Sequence, residues 1–343
     1  MKRAQRGMML LMVVFLLSFG LAACAQSTTT PKAMTVTNTI TTVPASTMTA
    51  TSTATATIVP ATLTPSLEPT PTPTALPCSP EICIFPGHFI LSRPITATDN
   101  DHIDITYRYG STQNGLREAH HGVEFPNPEG TPVLAAAEGV VITAGNDHDD
   151  VFAEWPFFYG NLVIIEHTND NLQAPFYTLY GHLSQVDVEI GEQVKAGGKI
   201  GLVGLSGTAI GAHLHFEVRI GENSYQETRN PELWLEPHSD ENGDAYGAII
   251  GRTINIFGGL LPVENIEIKA LTPDGDGNFA IYYLSTYDNL TIKNDLKWEE
   301  TFAIGGLPAG NYRVSFVARG LQYFDVQVLP GMVTMITFDA SLE

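Results

Sequence analysis

A mainly β protein is what the sequence predicts, with an antiparallel-sheet domain over residues 78–237 and a small β-sandwich over residues 246–343, both behind a non-globular N-terminal stretch. Three observations carry this reading. From residue 84 onward β-branched, aromatic and turn-forming residues recur, and few segments keep the period of a helix. Gly139, Gly160, Gly191, Gly201 and Gly204 cut the apolar runs as turns do. The run from His238 to Asp244 holds no apolar side chain and follows Trp234-Leu235-Glu236-Pro237, which places the boundary between the domains there.

Taken in chain order, the first element is an export signal over residues 1–24. Lys2, Arg3 and Arg6 precede an apolar run from Met8 to Leu21 that is too short to be read as a membrane span. The run ends in Leu21-Ala22-Ala23-Cys24, which resembles the bacterial lipoprotein box. The resemblance implies that Cys24 becomes a diacylated N-terminus, so the expected product is an exported cell-envelope lipoprotein held to a membrane by Cys24. Residues 25–77 follow, almost wholly Thr, Ser, Ala, Pro and Val, with scarcely a charge and no aromatic ring. Such a segment cannot bury enough apolar surface to offset the entropy of ordering, and it reads as a tether. Its reach would be roughly 40 Å as a flexible coil and about 160 Å if stiffened toward polyproline II.

The formal charge is −20, and the folded part is more acidic still. The first 77 residues carry Lys2, Arg3, Arg6 and Lys32 against Glu68 alone, leaving 13 basic and 36 acidic side chains, a net of −23, on residues 78–343. That balance argues against nucleic acid as a partner and against docking on anionic lipid by charge. With Cys24 lipidated, Cys78 and Cys83 stand five positions apart in an exported chain, where disulfides persist, and they are expected to pair.

Candidate strands of the first domain run Val133 to Ala136, Val140 to Ala144, Leu162 to Glu166, Phe176 to Tyr180, Ile200 to Leu205 and His213 to Ile220. Histidines cluster in three patterns among them: His120-His121-Gly122-Val123-Glu124, Tyr180-Gly181-His182-Leu183 and His213-Leu214-His215-Phe216-Glu217. Read as a strand, the last puts His213 and His215 on one face and Leu214, Phe216 and Val218 on the other. His120 and Glu124 are also an even number apart, so an extended backbone can aim both at one point. A histidine, a carboxylate and a histidine from a separate strand make the three-ligand, open-position set of catalytic zinc, although ligand softness alone leaves manganese, iron or cobalt open. His121 is expected behind the ligands or facing substrate, and His167 at a strand end on the surface. His88, His102, His148 and His238 belong to no pattern and are expected to be exposed.

The segments HHGVEF, YGHLS and SGTAIGAHLHFEV, in that order, resemble the three motifs of the lysostaphin-like, or LytM-type, zinc endopeptidases, as do the intervening GTPVLAAAEGVV, YGNLVIIEH and GEQVKAGGKIGLVG. The resemblance covers roughly residues 105–235. It implies one Zn²⁺ per chain held by His120, Glu124 and His215, with His182 and His213 uncoordinated beside it as the catalytic pair; which of the two is the base stays open. It further implies hydrolysis of the stem or bridge peptides of bacterial peptidoglycan. The family's usual carboxylate in the first motif is aspartate, and this chain has Glu124, whose arm is longer by about 1.3 Å. A second reading is a catalytically weak LytM-type module that activates another wall hydrolase; a third, a surface adhesin, leaves the histidines unexplained.

The insert NDHDDVFAEWPFF between Val141 and Gly160 is either a packed surface loop or a groove wall built from Trp155, Phe157 and Phe158. Residues 78–119 are either an inhibitory segment over the metal or an additional strand layer. In the second domain GAIIGRTIN, LPVENIEIKAL and GGLPAGNYRVSFVA resemble the carboxypeptidase regulatory-like, prealbumin-type sandwiches, which implies packing, spacing or targeting through a protein partner and no catalysis. Asp274-Gly275-Asp276-Gly277-Asn278 opens like a calcium loop but lacks the glycine at position six and the glutamate at twelve, and reads as a plain turn.

Overall fold

The computed structural model describes residues 76–113, 115–170, 172, 174–287 and 291–341; the export signal, Cys24 and nearly all of the tether lie outside the described residues. Among the described residues there are eighteen strands, two single-turn 3-10 helices at Tyr225–Glu227 and Pro231–Leu233, and no α-helix. Cys78 and Cys83 are disulfide-bonded.

The first lobe is built on an antiparallel sheet with the strand order Thr228–Arg229, His213–Ile220, Phe176–Leu183, Asn161–His167, Gly139–Asn146, Gln193–Val194, and Val123–Pro126 also pairs with His213–Ile220. Its middle strand, Phe176–Leu183, is buried at every position. An aromatic and β-branched run of that kind is stable only with cover on both faces. In His213–Ile220 the predicted alternation holds: Leu214, Phe216 and Val218 enter an apolar cluster with Phe125, Val163, Ile165, Tyr180 and Trp234. A smaller sheet of Pro132–Leu134, Lys199–Leu202 and Gln185–Val186 lies beside it in the chain path. Gly160 fixes how closely the loops can meet. It adopts φ +69°, and a Cβ there would fall 2.3 Å from the backbone nitrogen of Gly207.

The second lobe has two four-stranded sheets. One runs Ile82–Pro86, Met332–Asp339, Gly247–Ile254, Phe302–Leu307, and the other Ile281–Leu284, Ile266–Ala270, Gly310–Val317, Leu321–Val328. Ile249, Ile268, Phe302, Val314, Phe316 and Ile336 belong to one buried cluster drawn from both sheets.

Residues 82–86 differ from the sequence expectation, which placed them in the first domain. They form an antiparallel edge strand on the last strand of the chain, Ile82 opposite Ile336. A short β-branched run needs a sheet edge, and sequence distance does not say which edge is free. The lobes also share apolar cover. Gly247–Ile254 turns Ile249 into the sandwich cluster, while Ala248 and Ile250 join the cluster that contains Leu91, Phe176 and Trp234 of the first lobe. His88, expected to be exposed, is lodged here instead: it stacks on Trp234 at 4.3 Å, lies 4.5 Å from Trp298, and its Nε2 is 2.9 Å from Asp295 Oδ2. Arg108 pairs with Glu232, whose Oε2 also accepts from the Gly305 backbone N–H at 2.8 Å.

Candidate metal centre

Strand register gathers the site. His215 lies opposite Glu124 on one neighbouring strand and opposite Gly181 on the other. The turn leading into Val123–Pro126 passes hard against His213–Ile220: a Cβ on Gly122 would fall 2.5 Å from the carbonyl oxygen of Phe216. His120 is held one turn earlier, its backbone N–H donating to Ser111 O at 3.0 Å and its ring stacked on Tyr107 at 4.1 Å.

Hydrogen bonds then fix which ring nitrogens carry protons. His120 Nδ1 donates to the carbonyl of Tyr107 at 2.8 Å, since a carbonyl only accepts. His215 Nε2 donates to Glu217 Oε1 at 3.0 Å. Burial pushes the Glu217 carboxyl up, but Arg219, with His215 and the Tyr159 hydroxyl, outweighs it and holds Glu217 at about 2, so the group is a carboxylate. His120 Nε2 and His215 Nδ1 are thereby left as two lone pairs facing each other at 3.3 Å. Lone pairs at that distance repel unless a cation sits between them. Burial, and then the neighbouring His215, hold His120 well below the usual imidazole range, so its Nε2 keeps a lone pair for a metal ion. Glu124 Oε1 lies 3.8 Å from His120 Nε2, and the three ligand atoms fall within 4.8 Å of one another. Tetrahedral zinc with bonds of about 2.0–2.2 Å sets its ligand atoms about 3.3 Å apart. The donor set fits a borderline divalent ion of that kind.

Glu217 and Arg219 carry the ligand from behind. Both are fully buried; Arg219 Nε donates to Glu217 Oε2 at 2.8 Å, Tyr159 donates its hydroxyl hydrogen to Glu217 Oε1, and Arg219 Nη2 donates to the Tyr159 oxygen at 3.0 Å. Sequence reasoning missed Glu217, Arg219, Tyr159 and Tyr107. For the first two a signal existed: the two-residue alternation that puts His213 and His215 on one face continues through Glu217 and Arg219. For the tyrosines, contributed by distant loops, there was none.

The other two histidines flank the ligands. His182 Nδ1 donates to Ser206 O at 2.9 Å and His213 Nδ1 to Gly211 O at 2.7 Å, leaving each Nε2 without a proton. The rings are 4.8 Å apart, and His213 Nε2 is buried without a hydrogen bond, 3.5 Å from Glu124 Oε1. Burial holds His182 at about 3, helped by His215 and His213, and lowers His213 as well, so both rings are neutral. His182 sits in left-handed backbone at φ +62°, a strain of about 1–3 kcal/mol held by its N–H bond to Tyr159 O at 2.8 Å.

The remaining expectations divide. His121 is buried away from the ligands, stacked 3.6 Å from Tyr225 with Nδ1 2.9 Å from its carbonyl. His167 is not a surface residue: it is buried, with Nδ1 donating to Glu138 O and Nε2 2.7 Å from Thr178 Oγ1, because its strand is covered on both faces. His102 and His148 are exposed, while His238 is half-buried. In the 147–160 loop Phe158 packs on Tyr159 and Tyr225, while Trp155 and Phe157 stay exposed.

Residues 118–227 match the model of Peptidase family M23. Cell division protein DipM of Caulobacter vibrioides is 37% identical over 116 residues, covering 34% of this chain and 17% of that protein. Peptidoglycan DD-endopeptidase ShyA of Vibrio cholerae is 37% identical over 99 residues, covering 29% of this chain and 20% of that protein. The catalytic domain of the antimicrobial peptidase lysostaphin from Staphylococcus simulans aligns at 30% identity and TM-score 0.31 over 38% of this chain and 88% of its own. The chain spans only 17% to 23% of the length of the first curated relatives it matches. A LytM-type (M23) peptidase domain is supported for the matched residues.

Proposed function

We propose that this protein is a zinc-dependent endopeptidase that hydrolyses stem or cross-bridge peptides of bacterial peptidoglycan, exported and anchored through a lipid on Cys24. The observation that carries the reading is the pair of unprotonated nitrogens, His120 Nε2 and His215 Nδ1, facing each other at 3.3 Å beside Glu124. A zinc ion held by these three residues supplies Lewis acidity for the scissile carbonyl and lowers the pKa of coordinated water to about 7. The chain's own groups then move the proton. His182 Nε2 and His213 Nε2 are each open to accept it from the attacking water, and the imidazolium so formed returns it to the amine nitrogen as the C–N bond breaks. The ring that is not the base becomes a donor to the developing oxyanion only once its Nε2 is protonated, because its Nδ1–H is already given to a backbone carbonyl. Glu217, through His215 Nε2, keeps the ligand ring in the tautomer that presents Nδ1. The second lobe, which resembles regulatory-like sandwiches, is proposed to position the peptidase lobe or to carry a protein partner.

Glu124 in place of the family's aspartate favours a second reading, a weak LytM-type module that activates another wall hydrolase. The experiment that separates them measures new amino groups released from purified peptidoglycan by the protein, by His215→Ala and by a chelated sample. Release by the metal-loaded wild type alone supports the peptidase. No release across several wall types, with zinc bound, refutes it in favour of the activator.

A further inference from the structure

We propose that Asp101, His102 and His238 form a second divalent-cation site, which ties the loop around residue 101 to the segment that leads into the second lobe. His238 Nε2 is buried and has no hydrogen bond, although Asp101 Oδ1 lies 3.0 Å away, because the oxygen is off the line a ring N–H would need. His102 Nε2 approaches the same oxygen at 4.0 Å, the two imidazole rings are 4.3 Å apart, and the three ligand atoms fall within 4.8 Å of one another.

Asp101 is 8% exposed, and its carboxylate has Arg93, His102 and His238 as its basic neighbours. Arg93 is the cation nearby, but its hydrogen bonds go elsewhere: Nε and Nη2 donate to the Asp101 carbonyl at 2.9 and 2.6 Å, and Nη1 donates to Glu236 O at 3.0 Å. Its closest approach to the carboxylate is 3.7 Å, to Oδ2, which leaves Oδ1 facing the two histidines. A buried imidazole nitrogen without an aligned hydrogen bond is costly unless something joins it to the carboxylate beside it. Burial and then Arg93 lower His238 against the opposing pull of the Asp101 carboxylate, which favours the neutral ring that a metal ion needs.

Two imidazoles and one carboxylate select a borderline divalent ion, with zinc as the probe of choice, and water completes the coordination. The position gives the ion its structural effect. Asp104 N–H donates to Glu124 O at 2.8 Å, which joins the 101–104 loop to the strand of the first metal centre. On the other side, His238 O accepts from Tyr246 N–H at 2.7 Å, one residue before Gly247–Ile254 begins.

The test is zinc stoichiometry of the full-length protein at buffered micromolar free zinc, by elemental analysis. The wild type is expected to hold two ions, and His238→Ala, His102→Ala and His215→Ala one each. His102 has a side chain that is 72% exposed, so His102→Ala keeps the experiment meaningful if His238→Ala does not fold. One ion in the wild type with none in His215→Ala, or an unchanged ratio in His102→Ala, overturns the proposal. One ion that survives His215→Ala but disappears in His102→Ala and His238→Ala supports it and sinks the first centre instead.

Discussion

Replacing Glu217 by glutamine exchanges one oxygen for an NH2 group at a fully buried position, and the consequences follow from the groups around it. The carboxylate accepts from His215 Nε2, Tyr159 and Arg219 Nε, three donors that an amide, with one oxygen and two N–H groups, cannot all satisfy. Arg219, fully buried, loses its counter-charge. Breaking a buried ion pair from one side costs about 3–5 kcal/mol. Linkage gives a second route to the size of the effect. The carboxyl is held at about 2 against an ordinary 4.5, so its ionised form contributes about 3 kcal/mol above pH 4.5, and that contribution is lost as pH falls through 2. Urea unfolding of the metal-free protein at pH 7 should show Glu217→Gln less stable by about 3 kcal/mol, without the acid-side slope of the wild type. Zinc competition should show affinity weakened about 10- to 100-fold, because the amide no longer holds His215 in the ligating tautomer. Stability within about 0.5 kcal/mol of wild type, together with unchanged zinc affinity, would refute the reasoning.

Two further substitutions test other parts of the structure. Burial, with the nearby Asp295, raises the Glu300 carboxyl to about 8, so the folded chain keeps a proton that the unfolded chain releases above 4.5; stability should fall by as much as about 5 kcal/mol as pH rises across that window, and Glu300→Gln should flatten the slope in unfolding measured from pH 5 to 8. Glu124→Asp pulls the carboxylate back by about 1.3 Å from a position already 3.8 Å from His120 Nε2, so zinc should bind at least about tenfold more weakly in a competition titration; tighter binding would show that the backbone follows the shorter arm.

Much of the site was legible because strands write their faces into the sequence at a period of two. His213 and His215 on one side of Leu214 needed only an extended backbone to converge, whereas His120 reaches Glu124 across a bend at residues 121 and 122 and not along a strand as the even spacing suggested. What alternation cannot encode is which distant segment covers a face. His167 reads as a strand end, yet a loop carbonyl and Thr178 close over it; His88 reads as patternless, yet two tryptophans far along the chain enclose it. The Ile82–Pro86 strand shows the same limit, since its composition announces a strand and says nothing of a partner some 250 residues away.

That edge strand also decides where force enters the molecule. Tension applied through the residues before Ile82 is borne first by hydrogen bonds to Met332–Asp339, and only afterwards by any strand that carries a histidine of the metal centre. A pull from the N-terminal side strains the lobe without histidines, and the candidate metal centre is mechanically downstream of it.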